Sequence, residues 1–274
     1  MAAVDLGRYA GGSRCTGQEI PVSERPSRVP AVPALLMVCG YFALQALMIV
    51  LHEFAHSTTA WALGYTPTPL TVVWGNLVTM QGWDEGVPYD ALFAGRGHVA
   101  EAAIGGAPLA MHVLFVVALT IWLRSAGAIT RPVVFFSGYW FLVLNLAELV
   151  AYLWMRPFIA TGDTGRFNQG MDLSPWILFV CGSVFLAGAL SIFHGHIVPK
   201  VASAVRGRRL ACAAILVATG FVLFLWASGL RFLVIYPDPL WRVGLIGSAL
   251  FVAWLIVELP RVSPKRNSTH PAPE

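Results

Sequence analysis

The chain has 274 residues, of which 57% are hydrophobic and only 12% are charged, and its mean hydropathy is +0.69. A soluble domain carries about 25% charged residues, so this chain has too little polar surface to be a water-soluble globule. The formal charge of +4 in such a chain reports orientation in a membrane, and we expect no nucleic-acid partner. The composition predicts an integral membrane protein.

Six stretches are long and apolar enough to cross a bilayer, for which about 20 residues are needed. They are Pro33–Leu51 (running on to about Leu63), Ile104–Leu123, Pro132–Met155, Pro175–Phe193, Leu210–Leu230 and Pro239–Leu259. We therefore expect an all-α polytopic membrane protein with about six transmembrane helices. Its predicted parts are a polar, flexible N-terminal tail at 1–32, a three-span core at 33–167, three further helices at 168–259 and a flexible C-terminal tail at 260–274.

The distribution of positive charge orients this predicted bundle in the lipid bilayer. An even number of spans puts both tails on the same side of the membrane. Assigning the tails to the cytoplasm places most of the 18 basic residues on that side, which is the usual preference. We expect both termini to be cytoplasmic, and a compact chain of this kind suits a bacterial cytoplasmic membrane.

The connection between the first two spans, Gly64–Ala103, is too long for a simple turn. Within it, the apolar and β-branched runs Leu70–Trp74 and Leu77–Met80 flank the dipeptide Gly75-Asn76, a pattern typical of a short β-hairpin. Such a hairpin could offer an edge strand to an extended peptide.

The most specific motif is His52-Glu53-Phe54-Ala55-His56, an HExxH pattern. Residues four apart share one face of a helix, so both imidazoles can bind one metal ion, and Glu53 can take a proton from water. The motif continues a strongly apolar helix, where ionisable residues are costly and mark functional sites. The pattern predicts a zinc site with His52 and His56 as ligands and Glu53 as general base.

A catalytic zinc site needs a third protein ligand and an open position for water. The candidates are Asp163, in a turn after the third span, and Glu148, Asp172, His112, His194 and His196. Glu148 lies three residues after Asn145 on one helical face, where it could instead support a histidine or be protonated and hydrogen-bonded. Asp172 fits a helix cap better, and the last two histidines fit an interfacial position. The residues alone leave the choice open.

An HExxH helix followed by a hairpin loop resembles the site-2 proteases, a family of intramembrane zinc metalloproteases. The stretch Gly105-Gly106-Ala107-Pro108 is similar to the family's AGPxxN motif, with His112 near the family's asparagine. The third span carries Asn145 and is followed by Gly162-Asp163, which is similar to the family's pattern of an asparagine followed by Asp-Gly. The resemblance covers about Pro33–Phe167.

This resemblance implies that His52, His56 and Asp163 bind Zn²⁺, that Glu53 is catalytic and that the substrate is a membrane-spanning protein segment. It also implies a site that opens toward the cytosol. The charge distribution instead puts the end of the first span outside, and the sequence leaves both orientations open.

Two other classes of function fit the same residues. One is a membrane metallohydrolase that acts on something other than protein, such as a lipid amide. The other is a non-catalytic membrane protein, either a pseudo-protease that binds partners or a small transporter with a metal site. Substrate trapping by Glu53→Gln would separate the first class from a protease, and normal function in a Glu53→Gln strain would favour the second.

Overall fold

Helices dominate the chain in a computed structural model that describes residues 34–76, 82–125, 129–205, 209–230 and 241–262. These ranges contain no β-strand. The predicted α-helical class is confirmed for this part of the chain.

Nine α-helices occur in the described ranges. They are α1 (Ala34–Ala62), α2 (Tyr89–Leu92), α3 (Val99–Arg124), α4 (Pro132–Val150), α5 (Gly162–Gly170), α6 (Pro175–Ile192), α7 (Val198–Ala204), α8 (Arg209–Gly220) and α9 (Trp241–Glu258). Three π-helical segments extend α4, α6 and α8, at Ala151–Met155, Phe193–Ile197 and Phe221–Leu230. A 3₁₀ turn, Leu259–Val262, follows α9.

Four helical segments are long and apolar enough to cross a membrane. They are Val99–Arg124, Pro132–Met155, Pro175–Ala204 and Arg209–Leu230. The apolar helix Gly244–Glu258 is shorter, and the 29-residue α1 carries the polar HExxH motif in its second half. The described helices are compatible with an integral membrane protein, while the count of six spans stays a prediction.

The loop after α1 differs from a regular hairpin. Val73 and Asp84 form an isolated antiparallel bridge, with N–H···O distances of 2.7 and 3.2 Å. Gly86 has a φ of +69°, and a Cβ there would lie 2.6 Å from the carbonyl oxygen of Thr71, so only glycine fits this close approach. The run Leu77–Met80 lies outside the described residues, and the predicted hairpin stays a prediction.

Helix α4 lies at the centre of the packing, against α1, α3 and the Phe221–Leu230 segment. Glycines allow large side chains to pack directly on a helix backbone, as they do between membrane helices, where lipid provides no hydrophobic force for association. A Cβ on Gly138 would lie 2.3 Å from the Trp122 ring, and one on Gly220 would lie 2.2 Å from the Trp254 ring. These contacts hold α4 against α3 and α8 against α9.

Candidate metal centre

The two histidines of the HExxH motif meet Asp163 in the interior of the protein. The Oδ2 atom of Asp163 lies 3.0 Å from Nε2 of His52 and 3.6 Å from Nε2 of His56. One potential ligand atom from each of the three residues lies within 4.8 Å of the other two. The structure thus brings together the three residues that the sequence analysis proposed as ligands, and the group could hold a metal ion.

Asp163 lies in the first turn of α5 rather than in the flexible turn that its glycine-rich surroundings indicated. Gly162 starts this helix with a φ of +74°, and a Cβ there would lie 2.6 Å from Nη2 of Arg156. Burial opposes ionisation of the Asp163 carboxyl, but the adjacent His56 and His52 outweigh that effect and hold its pKa well below its usual range. Asp163 therefore offers its carboxyl group to the two histidines from a regular helix.

Two glycines of the GGAP stretch allow α5 to lie directly on α3. A Cβ on Gly105 would lie 2.8 Å from Cβ of Arg166 and 3.0 Å from the carbonyl oxygen of Asp163. A Cβ on Gly106 would lie 2.7 Å from Cδ2 of Phe167. The small residues on α3 therefore set how near Asp163 comes to the histidines of α1.

The proline of the same stretch orients His56. In a regular helix the carbonyl of Ile104 accepts a hydrogen bond from the N–H of residue 108, but Pro108 has no N–H. The Ile104 oxygen instead accepts a hydrogen bond from Nδ1 of His56, at 2.7 Å. Because Nδ1 is occupied by this hydrogen bond, Nε2 of His56 is the nitrogen that faces Asp163, 3.6 Å from its Oδ2.

His52 is held by side chains of two other helices. Its Nδ1 lies 3.1 Å from Nε2 of His112 on α3, and Nδ1 of His112 lies 2.7 Å from Oδ1 of Asn145 on α4. The Nδ2 of Asn145 donates to the carbonyl of Phe141 at 2.7 Å. His112, which the sequence left without an assigned role, contacts the proposed ligand His52 rather than the metal position.

Glu53 is buried beside the group, and its Oε2 atom has no hydrogen-bond partner among the described residues. A buried carboxylate oxygen without a partner lowers stability and is uncommon in native structures. A buried carboxylate oxygen of this kind next to two histidines is typical of a functional group.

The other candidate ligands lie elsewhere. Glu148 is half-buried on α4 and outside the group of potential ligand atoms. Asp172 forms an ion pair with Arg96, and His194 contacts the carboxylate of Glu258. His196 lies in the same π-helical segment as His194.

Sequence reasoning missed Tyr152, whose hydroxyl lies 3.4 Å from Nε2 of His52. The two rings are stacked, with centroids 5.6 Å apart. Tyr152 follows Asn145 by seven residues, two helical turns along the same face, and this spacing could have revealed it.

Arg166 was also missed, although it follows Asp163 by one turn of α5. Its Nη1 donates to Oε1 of the buried Glu101 at 3.2 Å, and its Nη2 donates to Oδ1 of Asp90 at 2.8 Å. The guanidinium also lies 4.8 Å from the centre of the Tyr89 ring. Arg166 therefore fixes α5 to α3 and α2 near the candidate ligand Asp163.

Short motifs carry the resemblance to the site-2 proteases, which stays a prediction. No family model matches the chain, and no curated protein and no solved structure is similar to it. The functional proposals below therefore depend on the described side chains and the distances between them.

Proposed function

We propose that this chain is an intramembrane zinc metalloprotease that cleaves a membrane-spanning protein segment. His52, His56 and Asp163 hold the zinc, and Glu53 is the general base. The observation that carries the proposal is the convergence of the three potential ligand atoms within 4.8 Å of one another. Beside them lies the buried Glu53, whose Oε2 has no partner within the described part of the chain.

The spacing of the donor atoms fits zinc. Tetrahedral zinc with bonds of about 2.0–2.1 Å puts neighbouring ligand atoms about 3.3 Å apart, and the two contacts of Asp163 measure 3.0 and 3.6 Å. Two imidazole nitrogens and one carboxylate oxygen form a ligand set of catalytic zinc that leaves one position open. Oδ2 of Asp163 is buried and makes no hydrogen bond of good geometry among the described residues, which fits an atom that faces a cation.

Zinc, when bound, supplies Lewis-acid chemistry that polarises a carbonyl and acidifies water. Glu53 takes a proton from the attacking water on its carboxylate as the hydroxyl oxygen bonds to the carbonyl carbon of the peptide. Glu53 then gives the proton to the amide nitrogen as the C–N bond breaks, so the products are a carboxylic acid and an amine. Its Oε2, which accepts no hydrogen bond from the residues that the structure describes, is available for both transfers.

The membrane arrangement follows from the position of the motif. The α1 sequence is apolar as far as Leu51 and becomes polar at His52, so the site lies where the apolar half of α1 ends. We infer that α1 and α9 join the four long apolar helices as spans, with both termini in the cytoplasm of a bacterial cell. A substrate helix must unwind there, because helical amides keep their carbonyls in hydrogen bonds.

Metal content tests the site directly. The full chain, purified in detergent, is expected to hold about one zinc ion, and His56→Ala and Asp163→Ala are each expected to lose it. His196→Ala serves as the matched control, because this histidine lies outside the ligand group. Zinc retained in Asp163→Ala would refute the three-ligand site, and no zinc in the wild type after metal loading would refute the function.

Cleavage tests the chemistry. The zinc-loaded chain is reconstituted in liposomes with a panel of single-span membrane proteins, and the products are identified by mass spectrometry. Glu53→Gln should keep zinc, abolish cleavage and retain bound substrate. Cleavage that survives in this variant contradicts the assigned base. Hydrolysis of lipid amides alone would favour the non-protein metallohydrolase, and unchanged cellular function in a Glu53→Gln strain would favour a non-catalytic role.

A further inference from the structure

We propose that His112 is a positioning residue that fixes the proton of His52 on Nδ1 and so turns the Nε2 lone pair of His52 toward the metal position. Asn145 anchors His112 in turn. The proposal rests on the metal site proposed above and adds two residues, on two further helices, that contact no metal.

The anchor of the chain of hydrogen bonds is a backbone carbonyl. The oxygen of Phe141 can only accept, so the atom of Asn145 that lies 2.7 Å from it is the amide nitrogen. The amide oxygen of Asn145 therefore faces Nδ1 of His112 at 2.7 Å. Because an amide oxygen only accepts, the Nδ1 of His112 carries a proton.

The proton on Nδ1 of His112 also determines which nitrogen of His52 donates to it. A neutral His112 with its proton on Nδ1 presents a lone pair on Nε2. That lone pair accepts from Nδ1–H of His52, 3.1 Å away. When His52 is neutral, its Nε2 is then left with a lone pair for a metal ion, and this atom lies 3.0 Å from Oδ2 of Asp163. The Phe141 carbonyl thus fixes the direction of the hydrogen bonds as far as Nδ1 of His52.

The side chains of this network are buried away from water, which keeps the directions of their hydrogen bonds fixed. His112 and Asn145 are fully buried, and His52 is 8% exposed, so no exchange with solvent competes for their hydrogen bonds. Buried polar groups that are fully paired specify one arrangement of the interior. Three helices contribute to this one: α1 carries His52, α3 carries His112 and α4 carries Asn145.

The two proposed histidine ligands thus reach the same state by different means. His56 donates Nδ1–H to the backbone carbonyl of Ile104, and His52 donates to the side chain of His112. Ile104 and His112 are eight residues apart, about two turns of α3, so the two histidines of α1 find their partners at different levels of α3. Partners of this kind orient metal-binding histidines and raise their basicity.

Substitution of His112 tests the proposal. His112→Gln keeps an oxygen acceptor for His52 and a donor for Asn145, whereas His112→Phe fills the space with a ring that can do neither. The zinc dissociation constant of the full chain is measured by competition with a chelator. We expect His112→Phe to weaken zinc binding by about 10- to 100-fold. His112→Gln keeps both hydrogen bonds and should remain within about threefold of the wild type.

A second readout reports the orientation of His52 itself. The ¹⁵N NMR signals of labelled histidine are expected to show zinc on Nε2 and a proton on Nδ1 of His52 in the wild type and in His112→Gln. In His112→Phe this pattern should be lost. Asn145→Leu should act in the same direction as His112→Phe. Thr219→Val is the folding control, since it removes a fully buried hydrogen bond outside this network, the one between the hydroxyls of Thr219 and Tyr139.

Three outcomes overturn the proposal, in distinguishable ways. Wild-type zinc affinity in His112→Phe would overturn the positioning role alone. A second such outcome is an equal loss of zinc affinity in His112→Gln and His112→Phe, when both variants unfold at the same temperature as the Thr219→Val control. This result would mean that His112 acts by packing and not by orienting His52. A wild-type chain that binds no zinc would overturn the proposed function and the positioning role together.

Discussion

The Nδ1 atom of His56 donates to the carbonyl oxygen of Ile104 at 2.7 Å, across the contact between α1 and α3. This bond exists because Pro108 leaves that carbonyl without its partner inside α3. A proline that would otherwise weaken a helix thereby supplies the acceptor that orients a candidate metal ligand. The Gly-Gly-Ala-Pro stretch of α3 and the HExxH motif of α1 are therefore parts of one candidate site.

Replacing Pro108 by alanine should weaken metal binding although it improves the helix. The Pro108→Ala variant gains a backbone N–H that competes with His56 for the Ile104 oxygen, so His56 loses part of its orientation. We expect the zinc affinity to fall by about tenfold, the lower end of the effect of such partners. A chelator competition on the purified chain measures it.

Pro132→Ala is the matched control for this substitution. Pro132 is the first residue of α4, where a proline removes no internal hydrogen bond, so its zinc affinity should equal that of the wild type. Equal affinity in both proline variants would show that the Ile104 carbonyl has no part in holding His56.

Replacing Gly105 by alanine should displace Asp163, the candidate third ligand. The added methyl group meets Cβ of Arg166 at 2.8 Å and the backbone oxygen of Asp163 at 3.0 Å, and neither atom is the end of a flexible side chain. We expect α5 to move away from α3, a destabilisation of about 1–3 kcal/mol, and a loss of zinc stoichiometry. Gly188→Ala is the control, because a Cβ at Gly188 meets nothing within 4 Å. A Gly105→Ala variant with full zinc and wild-type stability would contradict this account of the contact.

Loss of Arg166 should destabilise the fold far more than loss of Arg96. Arg166 is 17% exposed and its partner Glu101 is fully buried, so Arg166→Met leaves a buried carboxylate unpaired, which costs about 3–5 kcal/mol. Arg96 and its partner Asp172 are 57% and 67% exposed, and such pairs contribute about 1 kcal/mol or less. Denaturant titration of both methionine variants in detergent measures the free energies of unfolding. Similar losses in the two variants would mean that Glu101 does not depend on Arg166.

The part of the site that is local in sequence could be predicted. His52 and His56 are four residues apart, and the helical repeat alone places them on one face. The apolar runs likewise predict the long helices, because a spanning helix satisfies its own backbone groups and needs only length and composition. One helix runs further than the apolar pattern predicts. It continues from Pro175–Ile192 through Phe193–Ile197 into Val198–Ala204, although the His194-Gly195-His196 run interrupts the apolar pattern.

The part that depends on packing between distant segments could not be predicted from spacing. Asp163 is more than a hundred residues from His56, and its approach depends on the glycines of α3 that admit α5. The sequence also indicated a flexible turn at Asp163, because glycines flank it, whereas contacts with α3 hold those residues in a helix. The role of His112 depends on Asn145 and His52 on two other helices, and only the assembled interior brings these side chains together.

Zinc removal should lower the stability of the chain without unfolding it. Asp163 lies 3.0 and 3.6 Å from the two histidine nitrogens, so its carboxylate attracts both histidines once they take up protons in place of zinc. Zinc at a hundred times its dissociation constant should add about 2.7 kcal/mol to the free energy of unfolding. Thermal unfolding in detergent, with zinc and with a chelator, measures the difference, which should vanish in His56→Ala. Glu148→Gln should keep the stabilisation by zinc, because Glu148 lies outside the ligand group. Loss of that stabilisation in Glu148→Gln would make Glu148, rather than Asp163, the candidate third ligand.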